Sequence, residues 1–294
     1  MTLAVLCLGG SPAPADDGVF TVGRVTPNPQ RHIKDLRRLA EYVATRMQDL
    51  GVREGRVLMA RDNRQMKRML VRQQVDWLSE SVISALHFER ETGARVLLKR
   101  WKKGVPYYHS VIFVRTDSGI RGLQDLVDRR IAFEDPGSST AFFLPFAELR
   151  EAGLSLEWLY SPRETPLPGE VGYVFSRAEI NSATWVHKGI VDAAAFSNLD
   201  WERGTSMPDA FEDDVVVIHE SSPVPRSLEL VRAGLDEVRV RRLRKLLLHM
   251  HEDPEGREIL RRYQDTSRYE GLSPTDVERL DTLRDSLPEF ETYR

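Results

Sequence analysis

Residues 107–153, YYHSVIFVRTDSGIRGLQDLVDRRIAFEDPGSSTAFFLPFAELREAG, constrain this chain more than any other stretch. Apolar runs and their punctuation predict a strand over 108–114, a short helix over 122–127 and a second strand over 130–134. Asp135-Pro136-Gly137 reads as a tight turn, after which a helix opens at Ser138-Ser139-Thr140 and runs to Gly153. Small hydroxyl residues at a helix start, directly after such a turn, form a cradle for an oxyanion. The first-turn N–H groups lack intrahelical partners, and the positive end of the helix dipole points outward. Backbone N–H and hydroxyl donors would hold an anion there without a buried Lys or Arg. Taken alone, the same three residues serve more often as a plain helix cap.

The rest of the chain alternates short apolar strands with amphipathic helices, the pattern of an α/β fold. A strand over 19–25 precedes a helix that sets Ile33, Leu36, Leu39, Ala40, Val43, Met47 and Leu50 on one face and stops at Gly51. A strand follows at 57–60, then a helix over 62–74 whose Met66, Met69 and Leu70 read as core filler. A short strand at 75–77 leads to a polar turn, Ser79-Glu80-Ser81, that caps a helix over 82–91. The basic run Lys99-Arg100-Trp101-Lys102-Lys103 ends a strand over 95–101 and reads as a solvated edge and turn in preference to an anion or nucleic-acid patch. Beyond Gly153 the pattern gives a helical piece at 154–160, strands at 171–176, 190–196 and 214–218, and helices at 179–188, 237–251, 254–263 and 274–287.

Composition excludes several classes. The 294 residues are 41% hydrophobic and 30% charged, ordinary for a soluble globular protein. With 42 basic against 45 acidic residues, the chain has no polycationic footprint for nucleic acid. No stretch approaches the roughly eighteen apolar residues of a membrane span, so the protein is not expected to span one. The first fifteen residues read as the remnant of a secretory signal: an apolar core at 3–8 and Ala13-Pro14-Ala15 as a cleavage site, with the true start codon possible upstream. Export follows as an expectation. Cys7 is the single cysteine and is preceded by Leu6, not the small residue that a lipid anchor wants. Seven scattered histidines lack metal-ligand spacing, no phosphate-binding loop is present, and no nucleophile or cofactor lysine stands out. Neither a metal, a cofactor nor catalysis is expected.

Tyr108-His109-Ser110, Asp117-Ser118-Gly119-Ile120, Asp125-Leu126, Asp135-Pro136 and Ser138-Ser139-Thr140 occur in an order that resembles the substrate-binding proteins of phosphate, phosphite and phosphonate ABC importers. Val191-Asp192-Ala193 and Ser221-Ser222-Pro223-Val224-Pro225 extend the resemblance over roughly residues 19–270. It implies a type II periplasmic-binding fold, with two α/β lobes, a ligand cleft between them and two crossing segments. One lobe would be 18–115 plus 212–294 and the other 116–211. The resemblance implies a monomeric, periplasmic solute-binding component that delivers its anion to permease and ATPase subunits. In that reading Ser138, Ser139 and Thr140 hold the oxyanion, Tyr108 reaches it from the opposite lobe, and Ser79 and Glu80 border the cleft. The chain departs from the family at three places. Asn63 stands where some members carry a ligand-stacking Tyr, Glu179 where many have His, and Asn198 where many have Asp. Two other classes remain open: an enzyme on the same bilobal fold, and a binding module that feeds a sensor and takes a different small anion.

Overall fold

The computed structural model describes residues 18–290 apart from 203 and 205, with side chains described through residue 287. The expected signal segment, its cleavage site and Cys7 lie outside the described residues. Among the described residues the strands of the first half are β1 (Val19–Val25), β2 (Glu54–Ala60), β3 (Trp77–Glu80), β4 (Arg95–Lys102), β5 (Tyr107–Tyr108), β6 (Ser110–Arg115) and β7 (Arg130–Phe133). Those of the second half are β8 (Ser155–Trp158), β9 (Glu170–Phe175), β10 (Ala193–Ser197), β11 (Val215–Glu220), β12 (Val224–Pro225), β13 (Leu228–Val231) and β14 (Thr266–Glu270). Between them lie α1 (Ile33–Thr45), α2 (Asn63–Val71), α3 (Val82–Thr92), α4 (Leu144–Glu151) and α5 (Glu179–His187). Then follow α6 (Asn198–Glu202), α7 (Asp209–Glu212), α8 (Glu237–His249), α9 (Pro254–Arg262) and α10 (Pro274–Phe290).

Helix α1 shows how local pattern becomes packing. Leu36, Leu39, Ala40 and Val43 recur at spacings of three and four and are all fully buried, each Leu contributing roughly 2 kcal/mol. The helix lies so close to β2 that a Cβ on Gly55 would stand 2.2 Å from the Ala40 carbonyl oxygen, which only glycine avoids. Acidic caps start three other helices: Asp62 accepts from the Gln65 N–H at 2.7 Å, Asp236 from Val238 and Arg239, and Asp253 from Glu255.

Two six-stranded sheets result, in the orders β14-β4-β13-β3-β1-β2 and β11-β6-β10-β7-β9-β8, with β5 and β12 as a separate ribbon. This is the two-lobed α/β fold expected from the sequence. In the first sheet β1 pairs in parallel with both β2 and β3, while β13 runs antiparallel between β3 and β4. In the second, β7 is parallel to β9 and β10, and β6 and β11 pair antiparallel on one side. One hydrophobic cluster is continuous from Leu78, Val82 and Leu86 of the first lobe through Tyr108 and Val224 to Phe142, Phe146 and Tyr173 of the second.

The chain changes sheet at His109 and again at Ser221–Pro223. The sequence reading placed the crossings after residue 115 and before residue 212. Strands β6 and β11 instead belong to the second sheet, because the Val111–Val114 run is buried against Ala193–Phe196 of β10. The crossings are tied to one another and to β10. Ser110 N donates to Ser221 Oγ and Ser221 N to the Ser110 carbonyl, both at 2.9 Å. Asn198 N donates to the His109 carbonyl at 2.9 Å, and its Oδ1 accepts from His109 N at 3.0 Å.

Three sequence expectations are corrected. Residues 155–158 form edge strand β8 and not a helix, because Ser155 to Trp158 pair in parallel with Glu170 to Tyr173. Strands β13 and β14 were not anticipated. Their charged residues, such as Glu229, disguise a buried ladder. The run at 99–103 is not a solvated edge: Lys99 and Arg100 are only 3% and 2% exposed, since β14 covers β4 on that side.

Lys99 anchors the C-terminal helix. Its Nζ donates to Asp276 Oδ2 at 2.7 Å and to the Tyr107 hydroxyl, and both members of the Lys99–Asp276 ion pair are almost completely buried. Removing one partner of such a pair strands the other charge in a dry site. Lys99→Met is expected to lower the unfolding free energy by about 3 kcal/mol in urea titration; a loss under about 1 kcal/mol would show that this pair does not hold α10.

Candidate ligand-binding site

In open α/β sheets ligands gather outside the carboxyl ends of parallel strands. In the second lobe β7, β9 and β10 end at one edge, and the chain leaves them toward Ser138, Glu179 and Asn198 respectively. Ser138 is the N-cap: its Oγ accepts from Ala141 N at 3.1 Å, so its hydroxyl oxygen is partly spent on the helix itself. The first turn, Ser139–Phe143, is π-helical before α4 continues it, a widening often seen at functional positions. Ser139 and Thr140 are both 5% exposed, and Ser139 Oγ has no hydrogen-bond partner among the described residues. A buried hydroxyl without a partner costs about 1–3 kcal/mol, so an acceptor at this position would be rewarded.

Tyr108 comes to this turn from the hinge ribbon β5–β12, not from the body of the opposite lobe. Burial pushes its hydroxyl up to about 12, an effect that the adjoining Ser139 hydroxyl and Arg226 partly oppose. The two hydroxyls are neighbours without completing a hydrogen bond of good geometry.

Three carboxylates stand nearby. Glu179, the first residue of α5, accepts from Ser206 Oγ at 2.6 Å. Burial pushes its carboxyl up to about 7, and the neighbouring Asp200 and Glu134 add to this. Glu134 is also raised, chiefly by burial, while the Ser138 hydroxyl beside it acts the other way. A group entering this edge therefore meets both oxyanion donors and proton-bearing or negative carboxyls. Asn198, at the same edge, spends its side chain on His109 N and on Glu202 Oε1, the latter at 3.1 Å, which gives it a part in the crossing.

The first lobe supplies the facing edge. Strands β1, β3 and β4 run the same way and end at Val25, Glu80 and Lys102. Ser79 and Glu80 are the last residues of β3 and not a turn; Ser81 is the N-cap of α3, and its side chain makes no capping bond. Ser79 Oγ donates to Glu229 Oε1 at 2.6 Å, inside a buried network that also takes in Trp77 and Arg100. Glu80 Oε1 accepts from Val25 N at 3.4 Å, and burial pushes its carboxyl up to about 7. Around Glu80 lies a polar cavity of about 150 Å³, bounded by Arg24, Ser81, Arg100, Lys102, Arg226 and Gln264. Arg226 borders this cavity and is tied to the ribbon of Tyr108, since its N donates to the Pro106 carbonyl at 2.8 Å and Tyr108 pairs with Val224.

Sequence reasoning missed the cations of this cavity. Arg24, Lys102 and Arg226 are far apart in the chain and share no motif; only the pairing of β4 and β13 and the parallel ends of β1 and β3 bring them together. Asn63 lies elsewhere, between α2 and α3, where its Nδ2 donates to Ser84 Oγ at 3.1 Å. It borders a separate groove with Arg64, Lys67, His87, Phe88 and Glu91.

The chain is similar to several known proteins. XAC2383 from Xanthomonas citri is 36% identical, and its structure bound to chloride ion covers 94% of this chain and 100% of that one, with a TM-score of 0.85. Its structure bound to ATP gives 0.84, with 94% and 98% covered. PhnD1 from Prochlorococcus marinus, in complex with methylphosphonate, shares the fold at a TM-score of 0.61 with 15% identity, over 93% of this chain and 99% of that one. The phosphate-import protein PhnD of Mycolicibacterium smegmatis is 32% identical over 98 residues, a match spanning 33% of this chain and only 29% of that protein. No helix among the described residues is long and apolar enough to cross a membrane. The sequence profile described as "ABC transporter, phosphonate, periplasmic substrate-binding protein" matches residues 25–278, and the chain belongs to that family.

Proposed function

We propose that this protein captures a phosphorus oxyanion, such as phosphate, phosphite or a phosphonate, between its lobes and delivers it to the permease of an ABC importer. The observation that carries this reading is the buried, unpartnered Ser139 Oγ at the opening of the 139–151 helix, with the Tyr108 hydroxyl beside it. The anion would take N–H and O–H bonds from the turn at Ser138, Ser139 and Thr140. Tyr108, on the hinge ribbon, would close the donor set. A ligand drives hinge closure only by binding the closed form better, which a donor set spread over one lobe and the hinge permits. That a relative 36% identical holds ATP supports a phosphoryl-bearing ligand.

Glu179 would select among oxyanions. Below about pH 7 its carboxyl is protonated and can donate to the ligand; above that it is ionised and repels any anion that brings no proton or amine of its own. The neighbouring Asp200 and Glu134 sharpen the repulsion. Hydrogen phosphate or an aminoalkylphosphonate can meet the ionised carboxylate with an O–H or an ammonium, whereas sulfate has no proton to offer.

Calorimetric titration of ligand-stripped protein with phosphate, phosphite, methylphosphonate, 2-aminoethylphosphonate and sulfate tests the reading. At least one phosphorus oxyanion is expected to bind at micromolar or tighter dissociation constant, and Ser139→Asp to weaken it by roughly a hundredfold, nearly 3 kcal/mol. Failure of all five to bind would overturn the assignment. The preference for phosphate over sulfate is expected to widen as the pH rises from 6 to 8 in the wild type, and to follow a different pH profile in Glu179→Gln, where only the titration of phosphate itself remains. An unchanged pH profile in that variant would remove Glu179 from the selection.

A further inference from the structure

The cavity at the first-lobe edge is charged out of balance. Arg24, Arg100, Lys102 and Arg226 border it, and Glu80 is its only carboxylate. Arg100 is occupied within the lobe: its guanidinium donates to Ser227 Oγ and to Gln264 Oε1, the latter at 2.9 Å, and lies 3.5 Å from the buried Glu229. Arg226 spends Nη1 on the Lys102 carbonyl at 2.7 Å. Arg24 is different, because its Nε is buried and has no hydrogen-bond partner among the described residues. Lys102 is half-buried, and burial together with Arg100, Arg226 and Arg24 pushes its ammonium down to about 7. Arg24, Lys102 and Arg226 are partly buried and crowded together, a like-charge arrangement whose cost an anion from outside would offset.

The cavity is too small for a second protein segment and large enough for a tetrahedral oxyanion with some water, a water's share of liquid volume being about 30 Å³. Arg226 ties the cavity to the β5–β12 ribbon that carries Tyr108: its N donates to the Pro106 carbonyl at 2.8 Å, and Tyr108 pairs with Val224 two residues before it. We propose that this cavity receives a second anionic phosphoryl group of the same ligand, so that among phosphorus oxyanions a compound with two linked phosphoryl groups, of the pyrophosphate type, is held more tightly than a single phosphate or phosphonate. This inference rests on the oxyanion reading of the Ser138–Thr140 turn given above. One phosphoryl group is held by neutral donors of the second lobe and the hinge. The other is held by Arg24, Lys102 and Arg226 of the first. A ligand of that form would bridge the lobes, which gives it the differential affinity for a closed arrangement that a single small anion supplies less well.

The test compares inorganic pyrophosphate with phosphate by titration, free of divalent metal, on the wild type, on Ser139→Asp, on Lys102→Met and on the double variant Arg24→Gln/Lys102→Met. Pyrophosphate is expected to bind the wild type at least tenfold more tightly than phosphate, with the ratio falling to near one in the double variant. Lys102→Met replaces a cation by an apolar chain of similar length and is expected to give an intermediate ratio, which keeps the test readable if the double variant does not fold. A wild-type ratio near one, or a ratio that survives in a folded double variant, overturns the inference while leaving the oxyanion assignment to stand on its own Ser139→Asp result. Tight pyrophosphate binding that is lost in the double variant and kept in Ser139→Asp upholds the cavity and removes the Ser138–Thr140 turn from the site. Absence of binding by either anion overturns both.

Discussion

Everything functional in this molecule depends on the chain crossing between two sheets twice, side by side. The two crossings are held by main-chain and side-chain hydrogen bonds of 2.9–3.0 Å among His109, Ser110, Asn198 and Ser221. Buried polar groups in such a segment need partners, and here each crossing supplies them to the other or to the end of β10. The consequence is geometric. With both links at one end of the sheets, the carboxyl edges of the parallel strands in the two lobes face a common region. The β5–β12 ribbon beside the crossings carries Tyr108 and leads directly into Arg226, which borders the first-lobe cavity.

The electrostatic character of the two edges differs, and the difference has a physical cause. The second lobe presents hydroxyls and a helix start beside carboxyls that burial has pushed toward neutrality, as at Glu134 and Glu179. The first lobe presents cations whose cost is only partly offset by Glu80 and Glu229. Neither edge alone is a complete environment for a multiply charged anion. Together they present neutral donors, positive charge and, at Glu179, a carboxyl that burial raises to about 7.

Much of the fold was legible in the chain. The strand, Pro-Gly turn and hydroxyl-headed helix of 130–151 are local features, and α1 announces itself through Leu36, Leu39, Ala40 and Val43. What local pattern could not reveal was burial imposed by distant neighbours. Lys99 and Arg100 read as a wet edge because nothing nearby says that β14, over 160 residues later, will cover them. β8 read as helical because a four-residue strand at a sheet edge carries no long period to recognise. The lobe boundary was displaced for a similar reason: nothing local assigns β6 or β11 to a sheet, and the pairing of β6 with β10, and of β11 with β6, decided it.

The site divides along the same line. The sequence by itself determined the hydroxyl-headed helix start at Ser138–Thr140, the turn proposed to hold the oxyanion, since a helix start, its N–H groups and its hydroxyls are properties of a few consecutive residues. Tertiary structure decided which of the other candidates join it. It brought Tyr108 to Ser139 from the hinge, committed Ser79 to Glu229 and Asn198 to the crossing, and left Asn63 between α2 and α3. It also built a cation-lined cavity from Arg24, Arg100, Lys102 and Arg226, residues that no spacing rule connects. The reason is that hydrogen-bond donors of a helix end are fixed by local backbone geometry, whereas a cluster of like charges exists only when strand pairing forces distant side chains into one volume.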